Sequence, residues 1–196
     1  MKKIIQIILS LFCVFSIEAQ SQSLKEIESH RILLPNQWGI TPIGKSLPLG
    51  DLPLNISVSK SKKLIAVTNN GQSVQSIQLI DATKRIILDN IQIAKSWLGL
   101  VFSDDEKMLY ASGGNDNMII AYNIVNKKLL PKDTFVLGKP WPEMISPTGI
   151  TLDDEKNMLY VVTKENNSLY TVDLTKKNKT ERYELGAEAY TCILCL

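Results

Sequence analysis

One unit recurs along the chain. It consists of a short apolar stretch, a polar turn and a second, almost wholly apolar stretch. The first copy is Leu54-Asn55-Ile56-Ser57-Val58-Ser59, then a basic turn, then Leu64-Ile65-Ala66-Val67-Thr68. The second is Leu98-Gly99-Leu100-Val101-Phe102-Ser103, then Asp104-Asp105-Glu106-Lys107, then Met108-Leu109-Tyr110-Ala111-Ser112. The third is Thr148-Gly149-Ile150-Thr151-Leu152-Asp153, then Asp154-Glu155-Lys156-Asn157, then Met158-Leu159-Tyr160-Val161-Val162-Thr163. Anchoring the copies on Leu64, Leu109 and Leu159 gives intervals of 45 and 50 residues. The remainder of each unit repeats as well. A turn rich in Asn and Gly leads to a third strand at 74–80, 118–122 and 168–172. Polar turns at 81–84, 123–126 and 173–176 then lead to a fourth strand at 85–89, 134–137 and 180–184.

Short strands punctuated by turns every 8 to 12 residues predict an all-β chain. The second stretch of each copy is too short for a helix, and its apolar residues do not alternate with polar ones. Both of its faces must therefore be covered. A four-stranded sheet of this period, flanked on both sides by its neighbours, is the blade of a β-propeller. The expected architecture is an incomplete propeller: three four-stranded blades at about 51–93, 94–138 and 146–185, and the start of a fourth at 186–196. Leu-Gly closes the outer strand at Leu137-Gly138 and Leu185-Gly186, and also stands at Leu49-Gly50. Residues 40–49 are thus expected to form an outer strand with no earlier blade. Closed propellers have about four to eight blades. Three and a fraction imply a fragment of a longer product or, alternatively, a chain that closes with copies of itself. Either way, bare apolar blade faces are expected to promote self-association.

The first 20 residues stand apart. Lys2-Lys3 precede an apolar run of about 14 residues, and Ala19 stands before the polar Gln20-Ser21-Gln22-Ser23. This is the pattern of a secretory signal peptide. The run falls short of the roughly 20 residues that span a bilayer. Bulky Phe12 before Cys13 speaks against a lipid-modified cysteine. A periplasmic or secreted protein with no retained membrane span is expected, with 21–39 as a lead-in. The 22 basic and 20 acidic residues leave a formal net charge of +2, too balanced for long-range attraction to nucleic acid. Cys192 and Cys195 sit in a strand-like context, three apart and so on opposite faces. That disfavours a redox or zinc pair, and the one histidine, His30, is distant. The acidic turns lack the alternating ligands and the glycine of a calcium loop, and read as wet hairpin turns. No cofactor and no metal is expected.

Met108-Leu109-Tyr110-Ala111-Ser112 and Met158-Leu159-Tyr160-Val161-Val162-Thr163, each followed by an Asn-rich turn and a strand ending at Asn123 or Asp173, resemble YVTN-type (YncE-like) repeats. The opening Ile40-Thr41-Pro42-Ile43-Gly44-Lys45, with Leu49-Gly50-Asp51-Leu52-Pro53, is similar to the start of exported bacterial proteins that join such a propeller to an alkaline-phosphatase-superfamily phosphoesterase. The resemblance covers about residues 31–194. It implies a seven-bladed propeller outside the cytoplasm. It implies no activity in this chain, because a phosphoesterase of that superfamily needs metals held by several Asp and His residues.

Propellers hold ligands at the channel mouth, beside the loops that enter the inner strands. Those loops carry Trp97, Trp141 and Tyr190, whose rings could stack on a sugar or base, or instead pack between blades. No catalytic constellation accompanies them. Two function classes stay open. One is a non-enzymatic binding or scaffold module for a small molecule, glycan or protein. The other is the front part of a propeller-containing hydrolase, as a phosphoesterase fusion or a lactonase-like protein.

Overall fold

The computed structural model describes residues 29, 31–41, 45–140, 142–176 and 179–193. The expected signal peptide lies outside the described residues, as do Trp141 and Cys195. The chain divides into two compact units, 1–46 and 47–196. In the first, β1 (Ile32–Leu33) and β2 (Gly39–Ile40) pair as a small antiparallel hairpin. The outer strand expected over 40–49 is therefore not seen. Among its described residues only Ile40 lies in a strand, and it pairs with Ile32.

The second unit holds three four-stranded antiparallel meanders. The first blade is β3 (Pro53–Val58), β4 (Leu64–Asn69), β5 (Ser76–Asp81) and β6 (Ile86–Gln92). The second is β7 (Leu100–Phe102), β8 (Met108–Ser112), β9 (Met118–Val125) and β10 (Lys128–Val136). The third is β11 (Pro147–Asp153), β12 (Met158–Thr163), β13 (Ser168–Asp173) and β14 (Thr180–Glu184). Residues 187–193, expected to open a fourth blade, carry no ladder bond among the described residues. They lie along β11 where a next inner strand belongs: a Cβ on Gly149 would fall 2.5 Å from the Thr191 Cα.

Two apolar clusters join the blades. Ala66, Ile77 and Leu79 of the first blade bury against Leu100, Phe102, Leu109, Ala111 and Tyr122 of the second. Tyr110, Ile119, Ala121 and Phe135 on the other side of the second blade bury against Ile150, Leu159, Val161, Tyr170 and Val172 of the third. Alternation along one strand does this: Leu109 and Ala111 turn to the earlier blade, Tyr110 to the later one. We call the face toward the earlier blade leading and the face toward the later blade trailing. Each leucine or isoleucine fully buried in these seams contributes about 2 kcal/mol by leaving water.

The ladder corrects the repeat frame. Ser57 pairs with Ala66, Val101 with Tyr110 and Thr151 with Tyr160. Leu64 therefore corresponds to Met108 and Met158, and Ile65 corresponds to Leu109 and Leu159. Anchoring on the three leucines was one residue out in the first copy, and a one-residue slip on a strand exchanges its two faces. Leu64 and Ala66 accordingly belong to the trailing face. A second correction concerns the second blade. Residues 123–125 of the turn expected at 123–126 are strand, and the hairpin reverses at Asn126 and Lys127, both at positive φ (51° and 63°) as a tight two-residue turn demands. Burial explains the longer hairpin, since Leu129 is buried and Ile124 packs on the first cluster.

At one rim the turns after β3, β7 and β11 link neighbouring blades. The Lys60 ammonium meets the Asp104 carboxylate. Ser61 Oγ donates to Glu106 at 2.9 Å, and the Asp104 N–H donates to Asp154 Oδ2 at 2.6 Å. Within the second turn, Asp105 accepts from Ser103 Oγ (2.7 Å) and from the Lys107 N–H (3.0 Å). These bonds, the serine's foremost, hold the Asp105 carboxyl down at about 2, against an ordinary 3.8. A carboxylate depressed in the folded state contributes stability above its unfolded pKa and loses it as pH falls through the folded one. Between about pH 4 and pH 2 the unfolding free energy is expected to fall less steeply in Asp105→Asn than in the parent, as denaturant titrations at stepped pH would show.

Candidate site where the inner strands converge

The residues ahead of β7 and within β11 bring glycine to one ladder position. Gly99 precedes Leu100, which pairs with Ala111; Gly149 precedes Ile150, which pairs with Val161. Asn55 holds the same place in the first blade, ahead of Ile56. All three are points of close approach. A Cβ on Gly99 would stand 2.5 Å from the Thr148 carbonyl oxygen and 2.5 Å from Ile150 Cγ1. Asn55 bridges the corresponding gap by donating from Nδ2 to the Leu98 carbonyl. Glycine here serves proximity, allowing inner strands to meet without a side chain between them.

Around this convergence lies a cleft of about 230 Å³, lined by Asn55, Leu98, Gly99, Leu100, Gly149, Ile150, Tyr190 and Thr191. Its walls mix the aliphatic Leu98, Leu100 and Ile150 with the polar Asn55 and Thr191, and Tyr190 is the one aromatic. Tyr190 is 44% exposed and stands at the rim. The Lys164 ammonium lies 5.6 Å from the centre of the Tyr190 ring, within cation–π range. The Tyr190 hydroxyl, and after it Glu165, hold the Lys164 pKa above its ordinary value. On the next residue pair, burial pushes the Cys192 thiol up, so it is not a poised nucleophile.

Of the three aromatic candidates, Tyr190 lines the cleft. Trp97 is half-buried, and its indole N–H is buried without a partner among the described residues. It lies beside Gly114, on the junction of the first and second blades, and does not line the cleft. Trp141 lies outside the described residues. The glycine positions and the other wall residues are not among the candidates that the sequence offers. Aligning Asn55, Gly99 and Gly149 across the repeats would have revealed them.

The loops over this end are held by a polar clasp built three times, just ahead of the third strand of each blade. In the first blade the Gln75 carbonyl accepts the Ile93 N–H (3.1 Å), and Gln75 Oε1 accepts the Ser96 N–H (2.6 Å). In the second, the Asn117 carbonyl accepts from Leu137 N–H (2.9 Å), while Asn117 Oδ1 accepts from Ile145 and Ser146 N–H (3.0 and 3.3 Å). In the third, the Asn167 carbonyl accepts from Leu185 N–H (2.7 Å) and its Oδ1 from Glu188 N–H (2.9 Å). An amide side chain at this place thus ties the end of each outer strand to the loop leading onward. It fixes the approach of Trp97 and Tyr190. Among the described residues no three His, Cys, Asp or Glu side chains group closely enough to hold a metal ion, and no helix is long and apolar enough to cross a membrane.

No protein-family model matches the chain, and no curated protein matches its sequence. Solved structures match its fold. A functionally unknown protein from Desulfotomaculum acetoxidans DSM 771 superposes with a TM-score of 0.61 at 13% identity, over 73% of this chain and 45% of its own. The β-propeller domain of Myceliophteria thermophila Cps50 (Swd1) gives 0.57 at 15% identity, over 71% and 46%. Kuenenia stuttgartiensis hydrazine synthase gives 0.59 at 16% identity, over 76% and 40%. At such identities the likeness shows the fold alone, and that fold is a β-propeller. The chain spans less than half the length of each of these three.

Proposed function

We propose that this chain is an exported β-propeller module that binds rather than catalyses, holding a ligand in the cleft where its inner strands converge. The observation that carries this reading is the Tyr190 ring, exposed at the rim of a cleft of about 230 Å³ of mixed polar and apolar lining, beside the Lys164 ammonium. A cleft in which Leu98, Leu100 and Ile150 stand beside the polar Asn55 and Thr191 suits recognition of a ligand with both kinds of surface, and a rim aromatic offers a flat surface to a sugar ring or a planar side chain. The charged start, apolar run and small residue of the first 20 positions support export to the periplasm or beyond. The repeat pattern supports a YVTN-type lineage, and the apolar outer faces of the blades offer a second contact surface.

The test is a glycan and peptide array probed with the labelled chain, followed by titration of the hits. Tyr190→Ala is expected to weaken binding by about tenfold, as loss of a rim aromatic does elsewhere. Val74→Ala, on an exposed site away from the cleft, should leave it unchanged. Hits that respond equally to both substitutions, or to neither, would count against the cleft as the site.

A further inference from the structure

We infer that a single buried water molecule binds between the first two blades, held by Thr68 Oγ1, Ser96 Oγ and the Trp97 indole N–H, and keys the loop entering the second blade to the end of β4. Among the described residues, four buried side-chain nitrogen or oxygen atoms have no hydrogen-bond partner in the protein: Thr68 Oγ1, Asn69 Oδ1, Ser96 Oγ and Trp97 Nε1. Three of them belong to one seam. Thr68 is fully buried and lies two residues beyond Ala66, on the same trailing face. Ser96, 2% exposed, and Trp97 form the approach to the second blade. The Asn70 amide donates to the Ser96 carbonyl, and a Cβ on Gly114 would stand 3.5 Å from that carbonyl and 3.6 Å from Trp97 Cβ. The fourth atom, Asn69 Oδ1, belongs to the leading face, where the Asn69 amide meets Ser76 and Gln78, and takes no part.

The next seam shows what the same positions do when protein partners are in reach. Ser96-Trp97-Leu98-Gly99 aligns with Ser146-Pro147-Thr148-Gly149, and the clasp agrees: Gln75 accepts the Ser96 N–H as Asn117 accepts the Ser146 N–H. Ala66 pairs with Ser57 as Tyr110 pairs with Val101, so Thr68 corresponds to Ser112. In the second seam the Ser112 hydroxyl donates to the Pro147 carbonyl, and the Ser146 hydroxyl to Asn115 Oδ1 at 3.1 Å. The first seam lacks both bonds. Counting back from the clasp, Ser73 stands there in place of Asn115, and its side chain is shorter by a bond. Trp97 in place of Pro147 adds a donor. Two direct bonds thus give way to three polar atoms without protein partners. A buried water makes about three hydrogen bonds to groups of this kind, which are costly to leave unmet. The valences close. The indole N–H only donates, so it meets the water oxygen, and the two water hydrogens go to the two hydroxyl oxygens. None of the three groups carries a charge, so a neutral molecule fits them.

Water–protein nuclear Overhauser spectra of the full chain test this at the Trp97 indole proton, assigned by its loss in Trp97→Phe. The parent is expected to show a cross-peak at the water frequency, with the sign of a molecule that tumbles with the protein. Its absence overturns the proposal. Urea unfolding of Thr68→Val, Ser96→Ala and the double variant gives a second readout. Each single substitution takes a partner from the water and should raise the unfolding equilibrium constant about fivefold. The double variant should raise it by clearly less than the product, because both changes act on one shared molecule. Single variants as stable as the parent or more so, the result for hydroxyls that bind nothing, contradict the site. A double variant that equals the product contradicts the sharing.

Discussion

Replacing Asn117 by alanine is expected to lower the unfolding free energy by about 4 kcal/mol, a large share of what holds a domain of this size together. The side chain is fully buried. Its Nδ2 donates to the carbonyls of Lys139 (2.7 Å) and Glu143 (2.5 Å), and its Oδ1 accepts the two N–H groups of Ile145 and Ser146. Alanine leaves four loop groups without partners, each costing on the order of 1 kcal/mol or more where water cannot reach. It also puts a residue that tolerates the left-handed region poorly at φ 55°. Asn117→Asp keeps one acceptor but sets a buried carboxylate oxygen against the Lys139 and Glu143 carbonyls, so it should cost at least as much as alanine. Urea unfolding gives the magnitudes. Limited proteolysis should show new cleavage within 138–146 in the alanine variant. A loss below about 1 kcal/mol would mean that the clasp does not hold the loop.

The second large effect is expected from Gly99→Val. The added carbons have nowhere to go, since even a Cβ meets backbone oxygen and Ile150 at 2.5 Å. Overpacking at a rigid seam costs about 3 kcal/mol, because relief requires the second and third blades to separate at their inner edge. Gly186→Val is the matched control: no atom lies within 4 Å of its Cβ, and its effect should stay within about 0.5 kcal/mol. Thermal unfolding of the pair distinguishes close approach from a general penalty for adding a side chain. Equal destabilisation of both would contradict the seam.

Much of the fold is legible because propeller blades declare themselves through local pattern. Met108-Leu109-Tyr110-Ala111-Ser112 is apolar throughout because Leu109 and Ala111 face one neighbour and Tyr110 the other. Such two-sided burial shows in a single sequence. Register is harder to read. Leu64 resembles Leu109 by residue type, yet the ladder equates it with Met108, and in a uniformly apolar strand nothing local distinguishes the two frames. The Asn123-Ile124-Val125-Asn126 stretch reads as a turn by composition. Burial of Leu129 across the strand overrides that propensity, and only Asn126 and Lys127 reverse the chain. The cleft was half visible. Tyr190 stood out as an aromatic in an entering loop, whereas Gly99 and Gly149 matter for what they leave empty. The clasp by Gln75, Asn117 and Asn167 joins residues 18 to 29 positions apart, and no pairwise motif marks it.

The seam between the first two blades tests the central claim most directly, through nuclear Overhauser contacts among methyl-labelled residues. The sandwich of blades in the corrected register predicts cross-peaks from the Ala66 methyl to those of Leu109 and Ala111 and, in the next seam, from the Tyr110 ring protons to the methyls of Leu159 and Val161. Cross-peaks from Ile65 and Val67 to Leu109 in their place would restore the leucine-anchored frame. Absence of any contact between the strands of successive repeats would contradict the blades altogether.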